Sequence, residues 1–147
     1  MSNVSAVYHI VINTKRRMMT IPDDYKRDLY MYIYGILKAN NCLLFRINGT
    51  RNHVHMLINL HPSVALSSLM QSVKQSSSKW LKDNANFPYF GGWGKEYYAA
   101  TIARDGIERV IEYIKNQESH HYSTSFETEM EQMCIANGMP FNKEYLT

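Results

Sequence analysis

A chain of 147 residues is long enough to bury a core without disulfides or a structural metal, and its length suits one domain spanning 1–147. Its apolar and charged fractions are those of a soluble globular protein. No apolar run approaches the ~18 residues of a membrane span and no signal-peptide pattern appears, so a cytoplasmic protein with no membrane partner is expected. Cys42 and Cys134 are far apart and outside any Cys-x-x-Cys spacing, which argues against a zinc knuckle and for reduced thiols. The net charge of +3 is unevenly spread: residues 1–104 are basic, while residues 105–147 hold eight acids against three Lys/Arg. A basic body suits a polyanionic partner such as nucleic acid; ordinary solvated surface is the alternative.

Val4 to Asn13, rich in Val and Ile, reads as a strand, and Thr14-Lys15-Arg16-Arg17 as its basic exit loop. Pro22 and Asp23-Asp24 open a helix to about Asn40, with Leu29, Ile33, Ile36 and Leu37 at helical spacing. Cys42 to Ile47 reads as a second strand, and Asn48-Gly49 as a turn leading past Arg51 to a third strand, about Val54 to Leu60. Ser63 is the expected N-cap of a helix from Val64 to Lys82. Asn84 to Gly94, with Pro88, three glycines and four aromatics, reads as a loop, and Tyr97 to Ala103 as a fourth strand. Asp105 with Glu108, and Thr124 with Glu127, resemble capping boxes for helices over Gly106–His121 and up to Asn137-Gly138. The order β-α-β-β-α-β followed by two helices predicts an α+β, ferredoxin-like antiparallel sheet. Residues 1–104 would form the core and 105–147 the C-terminal helices. Helices are expected on one face, with the other face open for a ligand.

His53 and His55 are separated by Val54 within the third strand. Side chains alternate faces with period two, so the two imidazoles share a face and can close on one metal ion, while Val54 points into the core. In the third helix, expected over Gly106–His121, Ile107, Val110, Ile111 and Ile114 make an apolar stripe, and Tyr113 and Gln117 sit one turn apart on its flank. Tyrosine is a poor nucleophile at neutral pH, its reference pKa being about 10. Attack on a phosphodiester therefore needs the phosphate charge neutralised and the tyrosine placed in line. A divalent ion on His53, His55 and Gln117 meets both needs, and imidazole with amide oxygen suits Mn²⁺ or Mg²⁺. The bland readings are a boundary tyrosine and an exposed glutamine. His120 and His121 read as solvated residues at a helix C-terminus, with an assisting ligand or proton carrier as the alternative.

The segments Arg46-Ile47-Asn48-Gly49 through His53-Val54-His55, then His61-Pro62-Ser63-Val64-Ala65-Leu66, then Tyr113-Ile114-Lys115-Asn116-Gln117, resemble the single-tyrosine HUH transposases of small bacterial insertion sequences. The resemblance runs from Tyr8-His9-Ile10-Val11 to Glu144-Tyr145-Leu146. It implies a dimer whose sheets join, with the tyrosine helix of one subunit serving the histidines of the other. It implies cutting and rejoining of single-stranded DNA beside hairpin ends, through a 5′-phosphotyrosine that leaves a 3′-hydroxyl. By match, His53, His55 and Gln117 are the metal ligands and Tyr113 the nucleophile. Asn52 departs from the pattern, since many relatives carry an acid there.

Lys15, Arg16, Arg17, Arg46, Arg51, Lys74 and Lys79 are candidates for phosphate contacts. The aromatics of residues 87–94 are candidates for stacking on unpaired bases, or for covering the core edge; Trp80 reads as core. The rival functions are a hairpin-binding relative that no longer cuts, a replication or mobilisation nuclease with the same histidine pair, and an RNA-binding ferredoxin-like domain. The last would want aromatics where this chain has histidines.

Overall fold

The computed structural model describes residues 3–120 and 124–143. Four strands, β1 (Val7–Asn13), β2 (Leu43–Gly49), β3 (His53–Asn59) and β4 (Tyr98–Thr101), form one sheet in the order β2-β3-β1-β4. Every neighbouring pair is antiparallel. Helix α1 (Lys26–Ala39) joins β1 to β2, and α2 (Leu66–Lys82) joins β3 to β4. Three more helices follow, α3 (Ile107–Lys115), α4 (Gln117–His120) and α5 (Phe126–Ala136). This is the expected ferredoxin-like order, with β3 central.

Period two divides the central strands cleanly. Ile10, Ile12, Val54, Met56 and Ile58 face α1 and α2 and pack with Leu29, Ile33, Leu37, Leu69, Val73 and Leu81. Each such side chain contributes about 1.5–3 kcal/mol by leaving water. Val54 is therefore core, and His53 and His55 are driven to the opposite face.

That opposite face is not open. Val7 and Leu57 are covered by Ile114 of α3, and Val11, Tyr98 and Ala100 by Phe126, Met130 and Cys134 of α5. The expectation of a free face overlooked the apolar stripes of the last helices, which need a surface to cover.

Several boundaries differ from expectation for local reasons. Asn48-Gly49 is not a turn but the end of β2, paired with His55 and Val54. A Cβ on Gly49 would overlap the carbonyl oxygen of His53, so the glycine permits a close approach. Ala65, not Ser63, stands before α2; Ser63 is occupied by the His61 ring, Oγ to Nδ1 2.7 Å. The single helix expected over Gly106–His121 is broken at Asn116. Asn48 Nδ2 donates to the carbonyls of Ile114 (3.2 Å) and Lys115 (3.1 Å), which the next turn would otherwise use. Gly106 precedes α3 without a side-chain cap, so Asp105 and Glu108 form no capping box there. Ser125 Oγ, rather than Thr124, caps α5 by accepting from the Thr128 amide. Helix α5 ends at Asn137-Gly138 as expected. Gly138 has φ +67°, and the amides of Gly138 and Met139 reach back to Ile135 and Cys134.

The aromatic loop is mostly core. Phe87, Phe90 and Trp93 are buried against α1 and α2, and Trp93 Nε1 donates to Ser77 Oγ at 2.9 Å. They are not available for stacking on bases; Tyr89 alone in that stretch is a strongly exposed aromatic, at 82%. Trp80 packs against the core and stacks on Tyr32.

Candidate active site

The histidine face of β3 meets α3, α4 and α5 in one buried polar cluster. His53 and His55 have no solvent exposure, and neither has Gln117. Each imidazole is held from behind by its Nδ1. His53 Nδ1 lies 2.8 Å from Asn52 Oδ1, and the Asn52 amide is oriented by Nδ2 donating to the Arg17 carbonyl at 3.4 Å. An amide oxygen only accepts, so His53 Nδ1 carries the proton and Nε2 presents a lone pair forward. His55 Nδ1 lies 2.8 Å from Nε2 of His9, which shares its face of the sheet. Burial, with the neighbouring His55 adding to it, pushes the His9 pKa down to about 3, so His9 is neutral at working pH. With a cation on His55 Nε2, the His55 Nδ1 proton would be donated to His9 Nε2, the tautomer in which His9 holds the ring from behind.

Gln117 and Glu129 face these nitrogens. Gln117 Oε1 is 3.1 Å from His53 Nε2, and its Nε2 donates to Glu129 Oε2 at 3.1 Å. Glu129, 1% exposed on α5, brings Oε1 to 3.5 Å from His53 Nε2 and 3.4 Å from His55 Nε2. Two imidazole nitrogens, an amide oxygen and a carboxylate oxygen thus converge on one buried spot, a donor set that suits a cation. Ligand atoms of His53, His55 and Glu129 all lie within 4.8 Å of one another.

Tyr113, half-buried on α3, donates its hydroxyl to Glu129 Oε2. Its ring meets those of His9 and His55 edge-on, at centroid distances of 6.0 and 5.7 Å. Burial raises its pKa first, and the bond to the Glu129 carboxylate raises it further. Phe126 stacks on His53 at 4.1 Å and closes the outer side.

The structure brings together His53, His55, Gln117 and Tyr113 from the sequence expectation. His121 lies outside the described residues, as does the Glu144-Tyr145-Leu146 end, and His120 is placed only as the last residue of α4. Sequence reasoning missed His9, Asn52 as an orienting group, and Glu129. Glu129 left a signal: it falls on the apolar stripe of Phe126, Met130 and Cys134, where an acid is out of place unless partnered.

The basic candidates do not form one surface. Lys15, Lys74 and Lys79 line a single open groove with Lys82 and Lys95 beside Trp93. Lys74 Nζ donates to the Lys95 carbonyl at 3.0 Å, and its pKa is lowered by partial burial. Arg46 lines a separate depression with Lys26 and Arg27. The expected basic exit loop is a short 3-10 helix, Lys15–Arg17, on which Arg16 is exposed; Arg51 is exposed after β2, and Arg17 is paired with Glu127 of α5 at 2.9 Å.

A family model described as "Transposase IS200 like" matches residues 2–117. The transposases of insertion sequence element IS200 from Salmonella typhimurium and Salmonella typhi are each 26% identical over 115 residues, covering 75% of this chain and 75% of theirs. Two solved structures share the fold. A proposed transposase from Deinococcus radiodurans is 22% identical with a TM-score of 0.61, covering 80% of this chain and 95% of its own. A REP-associated tyrosine transposase bound to a REP hairpin is 14% identical with a TM-score of 0.63, covering 82% and 74%.

Proposed function

The chain belongs to the IS200-like transposase family, and from that premise we propose that it cuts and rejoins single-stranded DNA at insertion-sequence ends through a phosphotyrosine on Tyr113. The observation that carries this reading is the convergence of His53 Nε2, His55 Nε2 and Gln117 Oε1 on the face where Tyr113 also stands. His53, His55 and Gln117 would hold the ion, whose fit rests on their forward lone pairs. When bound, Mg²⁺ or Mn²⁺ supplies charge neutralisation at the phosphate and a template for in-line attack.

The chain's own residues do the rest. Asn52 and His9 fix the tautomers and ring planes of the two histidines. Phe126 and Ile114 exclude water from the cluster. The raised pKa keeps the resting Tyr113 phenol protonated at neutral pH. On attack, the phenolic oxygen bonds to phosphorus as the bond to the 3′-oxygen breaks; the phenol loses its proton and the departing oxygen ends as a hydroxyl. One phosphoester replaces another, so the strand can be rejoined without ATP.

Lys15, Lys74 and Lys79, in their shared groove, are the proposed backbone contacts, joined by Arg16, Arg46 and Arg51 from their own surfaces. Arg17 joins them only by leaving Glu127. Hairpin ends as partner, and a homodimer with composite sites, belong to the same reading. The hairpin held by one fold relative supports the first.

The test is incubation of the full chain with single-stranded DNA carrying an element end and Mg²⁺ or Mn²⁺, read on a denaturing gel. A covalent adduct that vanishes in Tyr113→Phe is expected. An undiminished adduct moves the nucleophile elsewhere, Tyr97 and Tyr98 being next. No adduct with either ion, while DNA still binds, replaces this reading with a hairpin-binding relative that does not cut.

A further inference from the structure

We propose that Glu129 is itself a ligand of the ion and ties the nucleophile to it, Oε1 serving the ion and Oε2 holding the Tyr113 hydroxyl. This rests on the reading of His53 and His55 as ligands and extends it to α5, which the Tyr-x-x-x-Gln pattern does not reach.

Three observations carry it. The first is spacing. Neighbouring donors around an octahedral ion of this size, each at about 2.1 Å, stand about 3 Å apart. The separations here are 3.1 Å for His53–Gln117, 3.4 Å for His55–Glu129 and 3.5 Å for His53–Glu129. A charge-assisted hydrogen bond between a carboxylate and an imidazolium would close to about 2.7–2.9 Å. Oε1 stands almost equally far from both histidines instead, as a third donor does around a shared centre.

The second is division of labour within the carboxylate. Oε2 takes the Tyr113 hydroxyl and the Gln117 amide, and Oε1 is turned to the two Nε2 atoms. The same Gln117 amide thereby fixes the carboxylate and aims its own Oε1 at His53. Removing the carboxylate disturbs three things together: charge at the centre, the Gln117 orientation and the Tyr113 tether.

The third is charge. Two neutral imidazoles and an amide carry no formal negative charge, whereas a buried carboxylate at 1% exposure adds one hard, anionic oxygen. The carboxylate makes the set harder and more anionic than two imidazoles and an amide alone, which raises its affinity for Mg²⁺ and Mn²⁺. Phe126, three residues earlier on α5, stacks on His53, so the helix bearing Glu129 is fixed to the metal face at a second point.

The experiment is titration of the metal-free full chain with Mn²⁺ followed by electron paramagnetic resonance, and with Mg²⁺ by calorimetry; neither requires DNA or activity. Glu129→Gln keeps the shape and the amide partners but removes the charge. It is expected to weaken Mn²⁺ binding at least tenfold and Mg²⁺ binding by more. Tyr113→Phe is expected to stay within threefold of wild type, and His53→Ala to lose binding. Glu129→Gln binding as tightly as wild type while His53→Ala fails overturns the proposal and leaves the histidine site standing. His53→Ala binding like wild type overturns the underlying reading of the site and the proposal with it. A tenfold loss in Tyr113→Phe makes the phenol a ligand and overturns the bridging role. Should Glu129→Gln not fold by circular dichroism, Glu129→Met takes its place. That variant keeps the length of the side chain and removes both the charge and the ligand oxygens, so wild-type affinity in it overturns the proposal equally.

Discussion

His9→Phe isolates the group behind His55. The substitution keeps an aromatic ring, one atom larger, between Tyr98, Tyr113 and His55, whose centroids lie 5.8, 6.0 and 5.0 Å from that of His9, and removes the ring nitrogens. His55 Nδ1 then loses its 2.8 Å partner inside a site with no solvent exposure. Leaving a buried donor without an acceptor costs about 1–3 kcal/mol. Loss of a group that orients a metal ligand lowers affinity about 10–100-fold, which is about 1.4–2.7 kcal/mol and agrees with that range. Mn²⁺ titration should show this loss with circular dichroism unchanged. The acid limb of metal-free stability gives a second readout. His9 has a folded pKa of about 3 against 6.5 unfolded, so the unfolded chain takes up its proton first as pH falls. Its contribution is full above about pH 6.5 and is lost toward pH 3, at about 1.4 kcal/mol per pH unit. His9→Phe should flatten that part of the curve. Mn²⁺ affinity within twofold of wild type, together with an unchanged acid slope, would refute the role given to His9.

Composite sites predict complementation. A mixture of Tyr113→Phe and His53→Ala, each inactive alone, should recover about a quarter of wild-type adduct if subunits exchange tyrosine helices, as random pairing in a two-fold dimer gives; no recovery means each site is built within one chain. Gly49→Ala should destabilise the protein by about 2–4 kcal/mol in urea unfolding, because the β2–β3 pair must open to admit the methyl beside the His53 carbonyl; a change under 0.5 kcal/mol would show the strands yield freely. Burial, with Cys134 adding to it, pushes the Tyr98 pKa up to about 12, so the folded state resists ionisation and stability should fall as pH rises from about 10 toward 12. Tyr98→Phe should remove that alkaline loss and, by deleting the acceptor for Asn137 Nδ2 at 2.8 Å, cost about 1 kcal/mol near neutral pH.

The strand periods made the sheet and the shared face of His53 and His55 readable from sequence, since burial of Val54 and Met56 leaves the histidines one side only. Tyr113 and Gln117 were readable as a pair because both project toward the metal face even with the helix broken between them. The break was not readable. It depends on Asn48, a residue 66 positions from Ile114, and looked like turn chemistry in its local setting. Glu129 and His9 were hidden for the same reason: each reaches the site through packing of an element whose docking the local pattern does not specify. The aromatic loop misled because Phe87, Phe90 and Trp93 look the same in sequence whether they face bases or a core.

The ion pairs of the last helices bear on the charge asymmetry of the chain. Arg17 is held by Glu127, and Lys26 by Glu118, so acids of the C-terminal third lie on cations of the N-terminal body. These helices act as a resident polyanion, in competition with any phosphate chain for the same two side chains. Arg17 can therefore neutralise a phosphate only by releasing Glu127, two residues from Glu129 on the same helix. A nucleic-acid strand arriving at that edge would loosen one end of the helix that shelters the buried cluster. Rising salt screens incoming DNA and the resident pairs alike. The ionic-strength dependence of binding will thus understate the number of phosphates contacted, because part of the cost of freeing the arginine disappears together with the attraction.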